Sequence, residues 1–288
     1  MDHSANIPFR KMNGLGNDFV VLDARHQAIE MTPEDARRLA DRSMGPGCDQ
    51  VIVLEPTKKA DVFMRIFNAD GSEVEACGNA ARCVALLLAE EAGRPEVTVE
   101  TRAGLLRAQV ESGDRVVIDM GVPRFAWNEI PLAEPFHDTT GIELQMGPID
   151  APILHSPSVV NVGNPHAIFW VDDVDAYDLA RFGPLLENHP VFPERANISL
   201  AHVTSRGGLR LKTWERGAGL TKACGTAACA AAVAAARKGL TDRQVTVELP
   251  GGKLFIDWTT DGHILMRGPA ELDFEGTLAA ETLSHAPA

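Results

Sequence analysis

Two cysteines occur in the same short motif at two places in the chain. Residues 76–81 read Ala-Cys-Gly-Asn-Ala-Ala, and residues 223–228 read Ala-Cys-Gly-Thr-Ala-Ala. Each motif lies between a β-rich run and a helical run, which places Cys77 and Cys224 at helix N-termini, where unpaired backbone N–H groups lower the pKa of a thiol. Because a thiolate is a good base and nucleophile, both are candidates for acid–base chemistry. A free cysteine taken alone is more often an inert buried residue, so the repetition favours the functional interpretation.

The remaining cysteines, Cys48, Cys83 and Cys229, give no sign of chemistry. The chain holds five cysteines, an odd number, and no two have the CxxC spacing. This pattern predicts reduced thiols rather than a disulfide framework, and it does not support a zinc site, so we expect no metal. Cys83 and Cys229 fall inside the helical runs and are interpreted as core residues.

The cysteine motifs belong to a longer internal repeat with an offset of 147 residues. An offset one residue longer aligns residues 97–100 with residues 245–248, which both read Val-Thr-Val-Glu. Collinear matches of this kind indicate a duplicated domain. The other pairs related by the first offset are Gly16-Asn17 with Gly163-Asn164, Gln50 with Asn197, Asn68 with Glu215, and Gly121 with Gly268.

Both halves predict the same order of secondary-structure elements. A helix is expected at 78–92 and again at 225–238, and each stops at a glycine, Gly93 or Gly239. The second helix is almost entirely alanine and valine, which is typical of a buried helix. We therefore expect an α+β domain used twice, with a satellite helix at 33–44 that Thr32 caps. The predicted strands are 61–67, 97–101, 105–110 and 115–120 in the first half, and 209–214, 245–249, 253–258 and 263–267 in the second.

Length, charge and hydropathy exclude several classes of protein. The chain has 288 residues, for which two domains are the prior expectation. Acidic residues outnumber basic ones by 40 to 27, which disfavours nucleic acid and membrane surfaces as partners. There is no apolar run long enough for a membrane span, and residues 1–10 lack the pattern of a secretion signal, so we expect a cytoplasmic protein.

Two equivalent sulfurs suit the inversion of a carbon stereocentre. If the halves pack about a pseudo-twofold axis, both thiols face one cleft. A base on one face of the carbon then removes a proton while an acid on the other face returns one, and the two roles exchange in the reverse reaction. The helix N-terminal N–H groups at Gly78-Asn79 and Gly225-Thr226 would receive a carboxylate next to that carbon.

Seven motifs found in this order resemble those of the diaminopimelate epimerase family. The resemblance runs from Lys11 to Gly268, nearly the whole chain. The motifs are 11–19 (Lys-Met-Asn-Gly-Leu-Gly-Asn-Asp-Phe), 67–72 (Phe-Asn-Ala-Asp-Gly-Ser), 76–79 (Ala-Cys-Gly-Asn), 163–166 (Gly-Asn-Pro-His), 192–195 (Phe-Pro-Glu-Arg), 215–219 (Glu-Arg-Gly-Ala-Gly) and 223–226 (Ala-Cys-Gly-Thr).

The resemblance implies an isomerase that interconverts LL- and meso-2,6-diaminopimelate without a cofactor, in lysine and peptidoglycan precursor biosynthesis. It also implies two pseudo-symmetric lobes, each a mostly antiparallel β-sheet wrapped around a central buried helix, and a homodimer. We place the N-terminal lobe at residues 1–122, completed by 270–288, and the C-terminal lobe at 123–269. The expected partner is the small-molecule substrate alone, with no nucleic acid and no membrane.

Site residues carry over from the family position by position. Cys77 and Cys224 are the implied proton donor and acceptor, and His166 and Glu215 are implied to tune their proton affinity. Arg216 suits a bidentate grip on the distal carboxylate of the substrate. Leu220 departs from the family pattern because many members carry a glutamate there. The implied substrate contacts are Asn17, Gln50, Asn68, Gly78, Asn79, Asn164, Asn197, Glu215, Arg216, Gly225 and Thr226.

Each of these residues also has a purely structural interpretation. Asn17, Asn79 and Asn164 lie next to glycines, as turn residues do. A lone histidine such as His166 is more often structural, and a Glu–Arg pair is often a solvated ion pair. The functional interpretation is favoured because the pairs 17/164, 50/197 and 68/215 are polar in both halves, which a duplicated core does not require.

Four other functions remain open at the sequence level. A proline racemase relative would keep the paired cysteines but lose the asparagine-rich contacts. A thiol redox protein is disfavoured by the absence of CxxC, and an amino-acid-binding module would tolerate alanine at both cysteines. A pyridoxal enzyme needs a Schiff-base lysine, for which Lys222 is the nearest candidate to Cys224.

Overall fold

The computed structural model describes residues 6–111, 114–279 and 282–283, which form a mixed α+β fold dominated by strands. The helices are α1 (Pro33–Ala40), α2 (Gly78–Ala92), α3 (Leu179–Glu187) and α4 (Gly225–Arg237). The strands are β1 (Ile7–Gly14), β2 (Asn17–Asp23), β3 (Gln50–Glu55), β4 (Val62–Asn68), β5 (Glu73–Val74), β6 (Glu96–Thr101), β7 (Gly104–Val110), β8 (Arg115–Asp119), β9 (Gln145–Met146), β10 (Leu154–His155), β11 (Ser158–Asn161), β12 (Pro165–Trp170), β13 (Asn197–Ser205), β14 (Gly208–Glu215), β15 (Gly219–Leu220), β16 (Gln244–Leu249), β17 (Gly252–Trp258), β18 (Ile264–Pro269) and β19 (Glu271–Leu278).

The chain divides into two compact units. One comprises Met1–Ile118 and Gly268–Ala288, and the other comprises Asp119–Arg267. Both boundaries fall within a few residues of those expected from the sequence, at 122 and 270. The lobe assignment itself stays a prediction, and residues 280–281 and 284–288 of its last segment lie outside the described residues.

The first unit is a mostly antiparallel sheet packed on α2. Antiparallel pairs join β1 to β19 and β2, β3 to β4, β4 to β5, and β6 to β7, whereas β2–β3 and β4–β6 are parallel. Helix α2 lies against β1, β6 and β7. Its residues Asn79–Ala89 are all buried, because apolar residues cover every side of this part of the helix except at Asn79 and Arg82.

The second unit repeats most of these pairings in the same order along the chain. Antiparallel pairs join β11 to β12, β13 to β14, β14 to β15, β16 to β17, and β17 to β18, whereas β12–β13 and β14–β16 are parallel. Helix α4 packs against β11–β14, β16 and β17, and its residues from Ala227 to Ala235 are buried. Alanine side chains allow strands to approach this helix closely on all sides, as the sequence predicts. Among the described residues, no helix combines the length and apolarity needed to cross a membrane.

Helix α2 begins and ends as predicted, and α4 begins as predicted and ends at Arg237, one residue before the predicted end. Cys77 and Cys224 are the N-cap residues, and both are in extended conformation. Both helices are followed by a glycine in the left-handed region, Gly93 with φ 63° and Gly239 with φ 71°. A residue with a Cβ is disfavoured in that conformation, which is the reason for glycine at both ends.

The two outer helices differ from the sequence prediction. Thr32 and Asp35 form a reciprocal capping box at the start of α1, but the helix ends at Ala40 rather than at residue 44. Asp41 ends it because this residue is extended and its carboxylate accepts hydrogen bonds from the Ser43 N–H and hydroxyl, which favours a turn. Helix α3, the counterpart of α1 in the second half, was not predicted, since Gly183 and Pro184 lie inside it and weaken the helical signal.

Candidate active site

In the first unit, the N-terminus of α2 presents Cys77 beside a buried asparagine. Cys77 is partly exposed, whereas Asn79 is 3% exposed. The Asn79 Oδ1 accepts a hydrogen bond of 2.8 Å from Arg82, which is fully buried and also donates to the Pro269 carbonyl at 3.0 Å. The side-chain oxygen of Asn79 is therefore bound to Arg82. The group of Asn79 that we expect to contact a substrate is its backbone N–H.

Three amide side chains meet at one edge of the first sheet. Asn17 and Gln50 lie at the starts of the parallel strands β2 and β3, and Asn68 lies at the end of the antiparallel strand β4, directly opposite Gln50. The Gln50 Nε2 donates to the Asn68 Oδ1 at 2.9 Å. The Gln50 Oε1 is buried and has no hydrogen-bond partner among the described residues. A buried acceptor without a partner calls for a donor, which an ammonium group supplies.

Asn17 is held by a network of charged residues that sequence reasoning missed. Its Nδ2 donates to the Asp49 Oδ2 at 2.9 Å, which leaves the Asn17 Oδ1 for an external donor. Arg42 bridges Asp49 and Asp18, and the buried Lys11 donates to Asp18 at 2.6 Å. Burial opposes the ionisation of Asp18, but the hydrogen bonds from Arg42 and Lys11 outweigh it and hold the pKa of that carboxyl well below its usual range.

The second sheet brings together the equivalent positions. Asn164 immediately precedes β12, and His166 is paired with Asn197 across the parallel strands β12 and β13. The His166 Nε2 donates to the Asn164 Oδ1 at 2.7 Å, which leaves the Nδ1 unprotonated and without a partner among the described residues. Burial lowers the pKa of His166 to about 3, with a further contribution from the charge of Arg216, so its ring is neutral at physiological pH.

Asn197 uses both ends of its amide on the protein backbone. Its Oδ1 accepts from the Arg216 N–H at 2.9 Å, and its Nδ2 donates to the Pro165 carbonyl at 3.0 Å. This predicted substrate contact therefore also fixes the backbone that carries Arg216. The Arg216 side chain donates to the Glu194 carbonyl at 2.9 Å.

The partly buried Glu215, at the end of β14, lies beside the buried Cys224 at the N-terminus of α4. The Thr221 hydroxyl donates to the Glu215 carboxylate, and the Cys224 Sγ lies 3.4 Å from the Thr226 Oγ1. Burial raises the pKa of Glu215. Burial also raises the pKa of Cys224 well above its ordinary value, and the negative charge of Glu215 adds to this effect.

The pKa of Cys224 is raised, whereas its place at a helix N-terminus predicts that the pKa is lowered. The helix favours a thiolate, but desolvation and a neighbouring carboxylate both favour the neutral thiol, and together they outweigh the helix. Cys224 is thus a neutral thiol that can donate a proton. Leu220, the departure from the family pattern, is 44% exposed on β15. The polar side chains next to the Cys224 thiol are those of Glu215 and Thr226.

Within each unit the structure gathers most of the predicted residues. The internal repeat does not reveal Asp49 or Arg82, because their counterparts in the other half are Ala196 and Cys229 and no polar pair recurs. Among the described residues, no group of three or more His, Cys, Asp or Glu side chains has an arrangement that could hold a metal ion.

Comparisons with known proteins identify the family of this chain. The family model for diaminopimelate epimerase matches residues 9–126 and 158–272. A diaminopimelate epimerase of Rhodopseudomonas palustris (strain HaA2) is 58% identical over 272 residues, which covers 93% of this chain and 92% of that protein. One from Bradyrhizobium sp. (strain BTAi1) is 58% identical over 281 residues, 96% of each protein.

The fold is shared with more distant enzymes. The crystal structure of a hydroxyproline epimerase from Agrobacterium vitis has a TM-score of 0.65 and 17% identity, and the match covers 97% of this chain and 94% of that one. At this level of identity the likeness concerns the fold alone. The family match and the identities of 58% over nearly the whole chain distinguish it from such relatives, and the protein is a member of the diaminopimelate epimerase family, whose members are amino-acid epimerases and hence isomerases.

Proposed function

We propose that this protein interconverts LL- and meso-2,6-diaminopimelate by a two-base mechanism in which Cys77 and Cys224 act on opposite faces of one α-carbon. The reaction serves the biosynthesis of lysine. The observation that carries the proposal is the recurrence of a cysteine at the N-terminus of a buried helix in both repeats, in a chain that belongs to this family.

In the proposed reaction, one sulfur accepts a proton and the other donates one. One sulfur, as thiolate, takes the α-proton and leaves a carbanion. The S–H of the other sulfur then delivers its proton to the opposite face, and the two sulfurs have exchanged roles when the product leaves. Because burial and Glu215 keep Cys224 protonated, Cys224 is the acid at the start of the cycle and Cys77 is the base.

The charge of the carbanion needs stabilisation by nearby donors. The backbone N–H groups of Gly78-Asn79 and Gly225-Thr226, at the starts of α2 and α4, supply donors for the adjacent carboxylate. Such preorganised donors act most strongly on charge that develops during the reaction. The proposed mechanism thus uses the chain's own groups, without a cofactor.

The remaining polar groups suit the ammonium and the distal carboxylate. The Gln50 Oε1 and the carboxylate of Glu215 accept hydrogen bonds from an ammonium group. Arg216 binds the distal carboxylate through its fork of N–H donors. The full proposed set of substrate contacts is Asn17, Gln50, Asn68, Gly78, Asn79, Asn164, Asn197, Glu215, Arg216, Gly225 and Thr226, with His166 and Glu215 tuning the thiols.

His166 acts on the site as a neutral group. Its Nε2–H orients Asn164 so that the amide nitrogen of Asn164 remains available to an acceptor on the substrate. We further propose that the protein works in the cytoplasm as a homodimer.

Isotope exchange tests the proposed function directly. The protein is incubated with LL-diaminopimelate in deuterated water without added cofactor, and the products are separated by chiral chromatography and analysed by mass spectrometry. The expected result is meso product with deuterium at the α-carbon. Conversion only after addition of pyridoxal phosphate, or turnover of trans-4-hydroxy-L-proline instead, would contradict the proposal.

A further inference from the structure

A buried carboxylate at the end of α3 contacts the segment that carries Glu215 and Arg216. Glu187 is 5% exposed. Its Oε2 accepts from the Trp214 indole N–H at 2.7 Å, and its Oε1 accepts from the Gly217 backbone N–H at 2.9 Å. The two contacts therefore lie on either side of Glu215 and Arg216 in the sequence.

The position of Glu187 at the end of a helix is unfavourable for an anion. The C-terminus of a helix carries partial negative charge, so a carboxylate there is destabilising unless other groups compensate. Arg195 donates to the same Oε1 at 3.1 Å, but its side chain is 52% exposed, and such a pair contributes little. The two neutral donors of the Trp214–Gly217 segment are thus the main partners of Glu187.

The internal repeat shows that these features occur together in one half only. At the offset of 147 residues, Glu187 corresponds to Ala40 at the end of α1, and Trp214 corresponds to Phe67. Arg216 corresponds to Ala69. The first half has no charged Glu–Arg pair, and it also lacks the carboxylate and the indole donor that contact this segment in the second half.

Close packing fixes α3 against the same segment. A Cβ on Gly183 would lie 2.5 Å from the Trp214 ring, so the helix approaches the indole more closely than any other residue at this position allows. This contact determines where the Glu187 carboxylate meets the Trp214 N–H. Gly217, with φ 75°, forms the turn whose N–H completes the arrangement.

We propose that Glu187 is a positioning residue of the epimerase site: its carboxylate holds the Trp214–Gly217 turn and thereby sets the placement of Arg216 and the distance between the Glu215 carboxylate and the Cys224 thiol. This inference rests on the proposed function for its kinetic consequence. Its structural consequence, the coupling of Glu187 to Cys224, does not depend on any substrate.

The primary variant is Glu187→Gln, which preserves size but leaves one acceptor oxygen for two donors. We expect kcat/KM for LL-diaminopimelate to fall about tenfold, mainly through a higher KM, because loss of a hydrogen bond to a charged acceptor loosens the turn. We also expect faster alkylation of Cys224 by iodoacetamide at pH 8, quantified by peptide mass spectrometry, because Glu215 moves away from the thiol.

Arg195→Gln is the matched control. It removes the exposed cation from Glu187 but leaves the Trp214 and Gly217 donors in place, so kcat/KM changes by less than about threefold and the alkylation profile is unchanged. A folded Glu187→Gln protein with wild-type KM and wild-type Cys224 alkylation would overturn the proposal. A lower melting temperature with unchanged kinetics and alkylation would overturn it as well, since that is the behaviour of a residue with a structural role alone.

Trp214→Phe provides a second variant, which also decides the question if Glu187→Gln does not fold. It removes one donor and leaves Gly217 bound, so we expect a decrease of about threefold in kcat/KM and faster alkylation of Cys224. In the Trp214→Phe background, Glu187→Gln should reduce kcat/KM by a smaller factor than it does alone. The single amide oxygen of the glutamine then has only the Gly217 N–H to accept. Unchanged alkylation in Trp214→Phe, or strictly additive effects, would contradict the proposal.

The two readouts separate the two hypotheses. If wild-type protein fails to epimerise diaminopimelate while Glu187→Gln still accelerates the alkylation of Cys224, the proposed function fails and the positioning role stands. If wild-type protein epimerises and neither readout responds to Glu187→Gln, the function stands and the positioning role fails.

Discussion

At the scale of single residues, the carboxylate of Glu215 and the thiol of Cys224 control each other's ionisation. Replacing Glu215 by Gln removes the negative charge that disfavours the thiolate. We expect the pKa of Cys224 to fall, and its alkylation by iodoacetamide at pH 8 to become faster, since a larger fraction of the thiol is then ionised. Mass spectrometry of the Cys224 peptide measures the rate.

Glu194→Gln is the control for this change in charge. Glu194 is an exposed neighbour whose backbone carbonyl, not its side chain, contacts Arg216. Its replacement removes the same unit charge, yet it should leave the Cys224 alkylation rate within about twofold, because solvent screens an exposed charge. Equal effects of the two substitutions would show that net charge, rather than the buried contact, raises the pKa.

His166 gives the protein a characteristic pH dependence of stability. Its pKa is about 3 in the folded state and near 6.5 when unfolded, so between these values the unfolded state binds more protons. Stability therefore decreases as the pH falls through this window. When the pH is lowered from 7 to 5, we expect the free energy of unfolding to decrease by about 2 kcal/mol more in the wild-type protein than in His166→Gln, as measured by urea unfolding. Parallel losses in the two proteins would refute a neutral, buried His166.

At the scale of elements, the conformation of the residue after α2 determines how that helix can end. Gly93 has φ 63°, and a Cβ there would meet no atom, so the effect of Gly93→Ala is conformational alone. We expect a loss of about 1 kcal/mol in the free energy of unfolding. Thermal and urea denaturation measure it.

Gly207 is the matched comparison. A Cβ on Gly207 would also meet no atom, but its φ lies outside the left-handed region. Gly207→Ala should therefore leave stability unchanged or raise it by about 0.5 kcal/mol, because alanine restricts the unfolded chain. A similar loss in both variants would rule out backbone strain as the cause.

At the scale of the whole molecule, the two-base proposal requires one cysteine from each repeat. Cys77→Ala and Cys224→Ala should each reduce epimerisation at least about a hundredfold, because each removes the acid or the base from one face of the carbon. Chiral chromatography of the products measures the loss. Either variant retaining near wild-type activity would refute the mechanism while leaving the fold intact.

Cys83 and Cys229 are internal controls for this experiment. Both are fully buried inside the central helices, and burial raises the pKa of Cys83 to about 12. Their thiols are therefore inert, and Cys83→Ala and Cys229→Ala should keep activity within about threefold. The distinction between Cys77 and Cys83, or between Cys224 and Cys229, lies only in their place on the helix.

The repeat and the helices that carry the two cysteines can be recognised in the amino-acid sequence alone. Periodicity and capping residues depend on neighbours in the chain, so α2 and α4, with the glycines that end them, were predictable. The polar residues at strand ends were also predictable, because the two halves show them twice, as Asn17 and Asn164 do. Helix α3 was missed because its local signal is weak and its stability comes from packing on Trp214.

The contacts and the ionisation of each polar side chain could be identified only from the folded structure. Asn79 is engaged by Arg82, Asn197 holds the Arg216 backbone, and Cys224 is a neutral thiol rather than the thiolate that its helix position favours. Glu187 is 30 residues from Gly217 in the chain, yet it binds the backbone there. Desolvation and hydrogen bonding between distant residues depend on which groups the fold buries together, and no local pattern in the sequence records that.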